Sequence, residues 1–254
     1  MMMNHRILVA IFAFIALVAC TDNTTVCSPD GNIEATFSIE GNGVPHYSLK
    51  AYGQDVIGTS AMGLEALEAN LKDGFEVVRV IRDKADEEWT QPWGENKRMR
   101  DHHNEMAVLM RNAEGVELTA RFKAFDDGMG FRYEYSAPAD SLTIIGDNTY
   151  FNFAEDGTSW TIGSYFSGYE LPYREQAISA TENANTPFTF QMGQVYGSIH
   201  EAALYDFPEM NLYRQDSLNF KSELARLGVD RAEIDPCIAI FAEYAFRPFA
   251  AYGA

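Results

Sequence analysis

The chain has 254 residues, of which 37 are Asp or Glu and 19 are Lys or Arg, so its formal net charge is −18. This acidic balance argues against a nucleic-acid-binding protein, because binding to phosphates requires clustered lysines and arginines. The length is enough for one large β domain or for two small ones.

A targeting segment is predicted at the N-terminus. Residues 1–6 are basic, residues 7–19 form an unbroken apolar run, and Cys20 follows at once. The run is shorter than the ~20 residues that a membrane-spanning helix needs, so residues 1–19 are interpreted as a signal peptide. The Leu-Val-Ala-Cys ending resembles a bacterial lipoprotein cleavage site, with a plain secretory signal as the alternative. We therefore expect an exported protein, periplasmic or held on the outer membrane only by lipid on Cys20, with residues 20–27 as a tether.

The three cysteines, Cys20, Cys27 and Cys237, do not make a disulfide framework. If Cys20 carries lipid, an oxidising compartment would allow Cys27 and Cys237 to pair. These two residues lie near opposite ends of the mature chain, and we therefore favour single structural thiols.

Most of the chain alternates between apolar and polar residues, which is the period of a half-buried strand. The first such strand covers residues 33–40, and a Gly-Asn-Gly turn leads to a return strand at residues 47–51. The clearest hairpin joins residues 117–124 to residues 131–135 through an Asp-Asp-Gly turn. Further short strands are predicted at residues 142–145, 159–162, 188–191 and 195–199.

Helical signals are weak. Three leucines at helical spacing lie between Gly63 and Gly74, in a segment too short for a firm helix, and residues 222–227, stopped by Gly228, favour one short helix. Many short strands without alternating helices predict an all-β fold, a large antiparallel β-sandwich. We expect a single domain over residues 28–228.

Two polar residues end the strand predicted at residues 195–199. They are His200 and Glu201, and the small apolar Ala202 and Ala203 follow them. A charged group next to apolar residues at a strand end can mark a pocket or a metal site. On composition alone, a solvated strand end with an ordinary surface glutamate is the favoured alternative.

The least generic stretch covers residues 89–105, which hold two of the three tryptophans of the chain. Indole faces beside carboxylates and amides are typical of sugar recognition. An interface loop with a buried tryptophan anchor is an equally open interpretation. The candidate carbohydrate-binding residues are Trp93, Glu95, Asn104, Glu105 and His200.

Motifs for a self-contained site are missing from the sequence. His102 and His103 are adjacent, and neighbours on a strand point to opposite faces, so they are a poor zinc pair. No His-Glu-x-x-His, Cys-x-x-Cys, calcium-loop or Gly-x-Ser-x-Gly pattern occurs. The sequence therefore predicts neither a complete metal site nor a catalytic nucleophile.

Five motifs occur in a fixed order along the chain. They are Ser-Pro-Asp-Gly-Asn (28–32), Trp-Thr-Gln-Pro-Trp-Gly-Glu (89–95), Arg-Asp-His-His-Asn-Glu (100–105), Gly-Met-Gly-Phe-Arg-Tyr-Glu (128–134) and Ile-His-Glu-Ala-Ala-Leu (199–204). Together, over about residues 28–220, they resemble the N-terminal domain of glycoside hydrolase family 97. That family comprises exo-α-glycosidases of bacterial envelopes that process starch and galactosides.

The resemblance implies a β-sandwich of the super-sandwich, galactose-mutarotase-like type, packed on a (β/α)8 barrel. It also implies an α-linked oligosaccharide as ligand and a calcium ion at the junction, to which Glu201 contributes one oxygen. The other calcium ligands and both catalytic carboxyl groups would belong to the barrel. No catalytic residue is therefore assigned to this chain, which by itself is expected to be inactive.

The end of the chain departs from that resemblance. A (β/α)8 barrel alone takes about 250 residues, which is the length of this whole chain. Residues 229–254 form an Ala- and aromatic-rich run that does not resemble the family sequence. A frameshifted or prematurely ended reading frame is our preferred interpretation, with an authentic short tail as the alternative. The rival function is a stand-alone carbohydrate-binding lipoprotein.

Overall fold

A computed structural model describes residues 23–137, 142–164, 168–202 and 207–225, together with the backbone of residues 244–249. Strands dominate these residues, and a 3-10 turn at Ile178–Ala180 is the one helical element among them. None of the described residues belongs to a helix long and apolar enough to cross a bilayer. The predicted signal peptide, the lipidation site Cys20 and most of the predicted tail lie outside the described residues.

The first layer of the fold is a nine-stranded antiparallel sheet. With the strands numbered in chain order, it runs from one edge to the other through β13 (Arg174–Ala177), β12 (Thr158–Thr161), β15 (Phe188–Met192), β16 (Val195–Glu201), β19 (Tyr244–Phe249), β9 (Gly128–Ser136), β8 (Glu117–Phe125), β7 (Arg98–Asn112) and β6 (Phe75–Thr90). The strand β19 comes from the predicted tail and pairs with both β16 and β9. The sheet therefore extends beyond the predicted domain boundary at residue 228.

The second layer consists of two four-stranded sheets. One contains β1 (Thr25–Cys27), β2 (Ile33–Glu40), β3 (Val44–Ala51) and β4 (Gln54–Ala61), and the other contains β11 (Tyr150–Asn152), β18 (Asn219–Leu224), β17 (Met210–Asp216) and β14 (Asn183–Asn185). They adjoin where Ile57 of β4 forms a bridge with Phe153. A short pair, β5 (Leu64–Ala66) and β10 (Ile144–Asp147), completes the described strands.

The core lies between the two layers and confirms the predicted sandwich. Phe37 of β2 meets Phe122 of β8 edge-on at 6.4 Å between ring centroids, and Tyr47 of β3 packs on Phe131 of β9 at 5.1 Å. Each of these pairs joins a strand of one layer to a strand of the other. Aromatic side chains bury large areas, so such pairs account for much of the attraction between the layers.

The hairpins predicted from alternation are confirmed. The strands β2 and β3 pair from Ile33 with Ala51 to Glu40 with Val44, around the expected glycine turn. Gly43 has a φ of +73°, and a Cβ there would lie 2.5 Å from the backbone nitrogen of Phe75. Only glycine therefore fits both the backbone angle and the space at this turn.

The two segments with helical signals are not helical. Residues 222–224, the described part of the short helix predicted at 222–227, belong to β18, which pairs with β17 and β11. Phe220 and Ser222 are both buried, so the period in this segment is two and not 3.6. Of the three leucines after Gly63, Leu67 is 66% exposed while the other two are buried in the core. Pairing and burial here outweigh local helix propensity.

The expectation of a free thiol at Cys27 is wrong, since this residue is disulfide-bonded. The two other cysteines of the chain, Cys20 and Cys237, lie outside the described residues. The sequence argument weighed only the separation along the chain, which does not limit how closely two segments approach after folding.

Candidate functional site

The strand β16 places Glu201 at the edge of the core. Val195 and Ile199 are buried between the layers as predicted, while Ser198, which alternation places on the outer face, is also buried. Glu201 has the same parity as Ile199 and therefore points inward at the end of the strand. His200 points to the outer face, and its Nδ1–H donates to the carbonyl oxygen of Glu201 at 2.9 Å.

The carboxylate of Glu201 joins the two layers. Its Oε1 accepts a hydrogen bond of 2.7 Å from the backbone N–H of Met210, the first residue of β17. Burial, together with the negative charges of Glu209 and Asp147, raises the pKa of Glu201 to about 7 against the opposing effect of the Met210 hydrogen bond. The carboxylate is therefore desolvated and lies in a region of negative electrostatic potential at the rim of the sandwich.

Such surroundings suit a ligand of a cation. A divalent ion beside Glu201 would favour the charged carboxylate and offset the repulsion from the neighbouring acids. Among the described residues, however, no three His, Cys, Asp or Glu side chains come together as a metal site. Since calcium takes about six to eight oxygen ligands, Glu201 fits as one ligand of a site that another part of the protein must complete.

A second buried acid, which the sequence did not single out, lies near this place. Asp147 at the end of β10 is 1% exposed, and its Oδ1 accepts a hydrogen bond of 2.9 Å from the backbone N–H of Thr149. Its Oδ2 is buried with no hydrogen-bond partner among the described residues. Burial raises the pKa of Asp147 to about 6. In a chain with 37 acidic residues, nothing in the local sequence distinguishes this aspartate.

The tryptophan-rich stretch forms a ribbon at the far edge of the same sheet. The strand β8 pairs with β7 only from His103 onward, so the paired residues 86–90 and 98–102 extend past it as two strands. The turn at the tip, residues 91–97, is held by a backbone hydrogen bond of 3.1 Å from Gln91 to Lys97. Here Trp93 is 81% exposed and lines a hollow of about 520 Å³ with Gln91, Pro92 and Lys97. Glu95 is also exposed at this tip.

The other two candidate residues of this stretch make structural contacts. Asn104 points inward, and its Nδ2 donates to the carbonyl oxygen of Cys27 at 2.9 Å, which ties β7 to β1. Glu105 points outward and is ion-paired with Arg121, whose Nε also bonds Glu134 at 2.7 Å. The Arg121 guanidinium lowers the pKa of Glu134 despite partial burial. These contacts assign Asn104 and Glu105 to the sheet itself.

The two adjacent histidines of the stretch point to opposite faces, as the sequence predicts. Nδ1 of His102 lies 3.5 Å from a carboxylate oxygen of Asp126. The ring of His103 packs at 5.0 Å on Phe125, its partner on β8, and Nδ1 of His103 contacts Asp101. Both rings are thus occupied by contacts within the chain.

The structure does not bring the ribbon tip and Glu201 together. Across the sheet, Glu201 is level with Arg82 of β6, five strands away, and Trp89 is seven residues further along β6. At about 4.8 Å per strand and 3.3 Å per residue, the separation along the sheet is about 30 Å. Of the predicted carbohydrate residues, only His200 is a neighbour of Glu201. The candidate site therefore has two separate parts.

Comparison with known proteins shows the family of the chain. Residues 26–232 match the protein family described as Glycosyl-hydrolase 97 N-terminal, a range that contains both parts of the site. The chain belongs to this family. The match ends four residues beyond the boundary predicted at residue 228 and includes the Ile-His-Glu-Ala-Ala-Leu motif of Glu201.

Solved structures support the same assignment. A variant of a Glycoside Hydrolase Family 97 enzyme from Pseudoalteromonas sp. strain K8 is similar with 32% identity and a TM-score of 0.82, over 89% of this chain and 35% of that enzyme. The enzyme from that strain in complex with acarbose matches with 32% identity and a TM-score of 0.81, over the same shares. A β-arabinopyranosidase shares the fold at 15% identity and a TM-score of 0.79, over 90% of this chain and 40% of its own. The chain thus spans about a third of the length of the family enzymes that it matches.

Proposed function

We propose that this chain is the N-terminal β-sandwich of an envelope exo-α-glycosidase of the α-glucosidase or α-galactosidase type. In this proposal it packs on a catalytic (β/α)8 barrel and contributes Glu201 to a calcium site at the junction. The observation that carries it is the inward, desolvated position of Glu201 at the rim of a family 97 N-terminal domain. The similar enzymes from Pseudoalteromonas were solved with the oligosaccharides panose and acarbose, which supports an α-linked oligosaccharide as ligand.

The calcium ion would act here through its fixed positive charge. Glu201 would offer it one oxygen while keeping the hydrogen bond from Met210, so the ion would be held at the point where the two layers of the sandwich meet. In this proposal the chain's own residues help to position the ligand but carry out no step of the hydrolysis. Hydrolysis of a glycosidic bond needs two carboxyl groups flanking that bond, and we assign both to the barrel.

The test uses the full chain with the catalytic part of a relative. We expect the full chain alone to show no turnover of aryl α-glucosides or α-galactosides. Co-expressed with the part of the Pseudoalteromonas enzyme that it does not match, it should co-purify with that part and restore turnover that a calcium chelator removes. Turnover by the chain alone, or failure of the two parts to associate, would contradict the proposal.

A carbohydrate-binding module is the second candidate function, and the 81% exposure of Trp93 beside a hollow favours it. In this reading Trp93, Glu95 and Lys97 at the ribbon tip hold one face of a malto-oligosaccharide. Loss of one indole stacking surface should weaken binding about tenfold. We expect this loss for Trp93→Ala in isothermal titration calorimetry, and little change for the control Trp89→Ala, whose indole lies outside the hollow. No binding by the unsubstituted chain at millimolar sugar would refute the second candidate.

Export and a lipid anchor on Cys20 belong to the same proposal and rest on the sequence of residues 1–20. The anchor would hold the enzyme at the membrane surface without any spanning segment. Membrane fractionation of cells that express the full chain or its Cys20→Ala variant tests this, since only the unsubstituted chain should pellet with membranes.

A further inference from the structure

An exposed apolar segment precedes the edge strand β13. Tyr169, Leu171 and Tyr173 are 49%, 44% and 62% exposed, and they are three of the eleven large hydrophobic side chains that are exposed among the described residues. They fall within five consecutive positions. Single exposed hydrophobic residues are common on soluble domains, whereas a cluster of this kind usually marks an interface.

The segment is fixed to the sandwich. The Tyr169 hydroxyl donates a hydrogen bond to Oε2 of Glu209, and Asn185 Nδ2 donates to the carbonyl oxygen of Gly168 at 3.4 Å. Asn185 is 1% exposed and belongs to β14, which pairs with β17 just after Glu209. The start of the segment is thus held against β14 and against the residue just before β17, the strand whose first N–H binds Glu201.

The segment also lies close to Glu201. The Tyr169 hydroxyl is bonded to Glu209, and the backbone N–H of the next residue, Met210, donates to Oε1 of Glu201 at 2.7 Å. Tyr169 and Glu201 are therefore bonded to adjacent residues at one rim of the sandwich. In keeping with this position, partial burial, the hydrogen bond to Glu209 and the negative charges of Glu209 and Glu201 raise the pKa of Tyr169 to about 12.

We propose that Tyr169, Leu171 and Tyr173 form the docking surface on which the catalytic barrel packs against this domain. This inference rests on the proposed function. A domain that supplies the missing oxygen ligands must bring them to Glu201. Such a domain would also cover Tyr169, which is bonded to Glu209 beside the Met210 N–H that binds Glu201. Tyrosines with an apolar body and a polar tip are favoured as anchors of such interfaces.

The surroundings favour this partner over other occupants. Glu170 lies within the segment and Glu201 and Glu209 lie beside it, so the segment would repel an anionic lipid surface. A second copy of this chain would bring the same acids against each other without supplying a cation. The family enzymes that the chain resembles, by contrast, carry about two-thirds of their length beyond the matched region.

The experiment measures the affinity of the full chain for the co-expressed catalytic part of the Pseudoalteromonas enzyme, by analytical ultracentrifugation with calcium present. We expect the Leu171→Asp and Tyr173→Asp variants to raise the Kd at least tenfold. Leu67→Asp and Tyr52→Asp are matched controls, 66% and 48% exposed on other loops, and should leave it unchanged. Tyr173→Ser serves as a milder variant, and equal melting temperatures show that the substituted chains are folded.

The outcomes separate this inference from the proposed function. Equal Kd values for the Leu171 and Tyr173 variants and the unsubstituted chain would overturn the docking surface and leave the association itself standing. Weakened association of the Leu171 and Tyr173 variants, together with a Kd that does not depend on calcium, would support the docking surface and refute the calcium site. No association of the unsubstituted chain would overturn both, and self-association lost in the Leu171→Asp variant would assign the surface to a second copy instead.

Discussion

Replacing Asp147 by Asn is expected to stabilise the domain by about 3 kcal/mol at pH 8. Asp147 is a fully buried carboxyl whose pKa is about 6 against an ordinary value of 3.8, mainly because of burial. Its ionised form therefore costs free energy that a neutral amide of the same shape does not. The new Nδ2 would also have Ser222 as a neighbour, whose hydroxyl oxygen is buried without a partner among the described residues.

The pH dependence of this effect has a definite sign. Between pH 3.8 and about 6 the folded state holds the Asp147 proton that the unfolded state releases, so the stability of the unsubstituted chain falls as the pH rises through this window. Above about pH 6 the whole penalty is present, and below pH 3.8 it is absent. The gain from Asp147→Asn should therefore be full at pH 8 and should vanish towards pH 4.

Urea unfolding of both proteins at pH 4, 6 and 8 checks this expectation. All other groups titrate alike in both chains, so their contributions cancel in the difference between the two free energies of unfolding. Asp55→Asn is a suitable control, because this carboxylate is exposed and only 3.5 Å from Nζ of Lys50, a pair that contributes little. A variant less stable than the unsubstituted chain at pH 8 would show that the buried charge has a compensating partner.

The sequence predicted the parts of the fold that depend on local pattern. Strands with one face in the core, such as β2 and β8, alternate between buried and partly exposed residues, and the turn after β2 carries glycines at positive φ. The end of β18 was interpreted as the start of a helix because residues 222–227 are followed by Gly228, a common helix stop. Its identity depends on pairing with β17 and β11, which are separate in sequence.

The candidate site could be predicted only where a motif names the residue. Glu201 was found through its motif and its strand end, and its role as a calcium ligand stays a prediction. Asp147, Glu209 and Tyr169 were missed, because their proximity to Glu201 depends on how β10, β17 and the segment before β13 pack. Sequence proximity also grouped Trp93 with Asn104 and Glu105, although strand alternation sends these last two residues to opposite faces.

Glu201 carries two roles in our account, and two substitutions should separate them. Its structural role is to accept the hydrogen bond from the Met210 N–H, and its proposed functional role is to bind calcium. Glu201→Gln keeps a carbonyl oxygen for Met210 but removes the charge. Glu201→Ala removes both and leaves a partly buried N–H without its acceptor, which costs about 1–3 kcal/mol.

We therefore expect Glu201→Gln to leave the free energy of unfolding of the chain unchanged or raised, and Glu201→Ala to be less stable than Glu201→Gln by about 1–3 kcal/mol. The gain is possible because the glutamine carries no desolvated charge near Glu209 and Asp147. In complex with the catalytic part of the relative, both variants should lose the calcium-dependent rise in melting temperature, which differential scanning calorimetry measures. A calcium response that survives in Glu201→Gln would place the ion elsewhere. Equal stability losses in both variants would instead show that the charge, and not the acceptor geometry, holds β16 to β17.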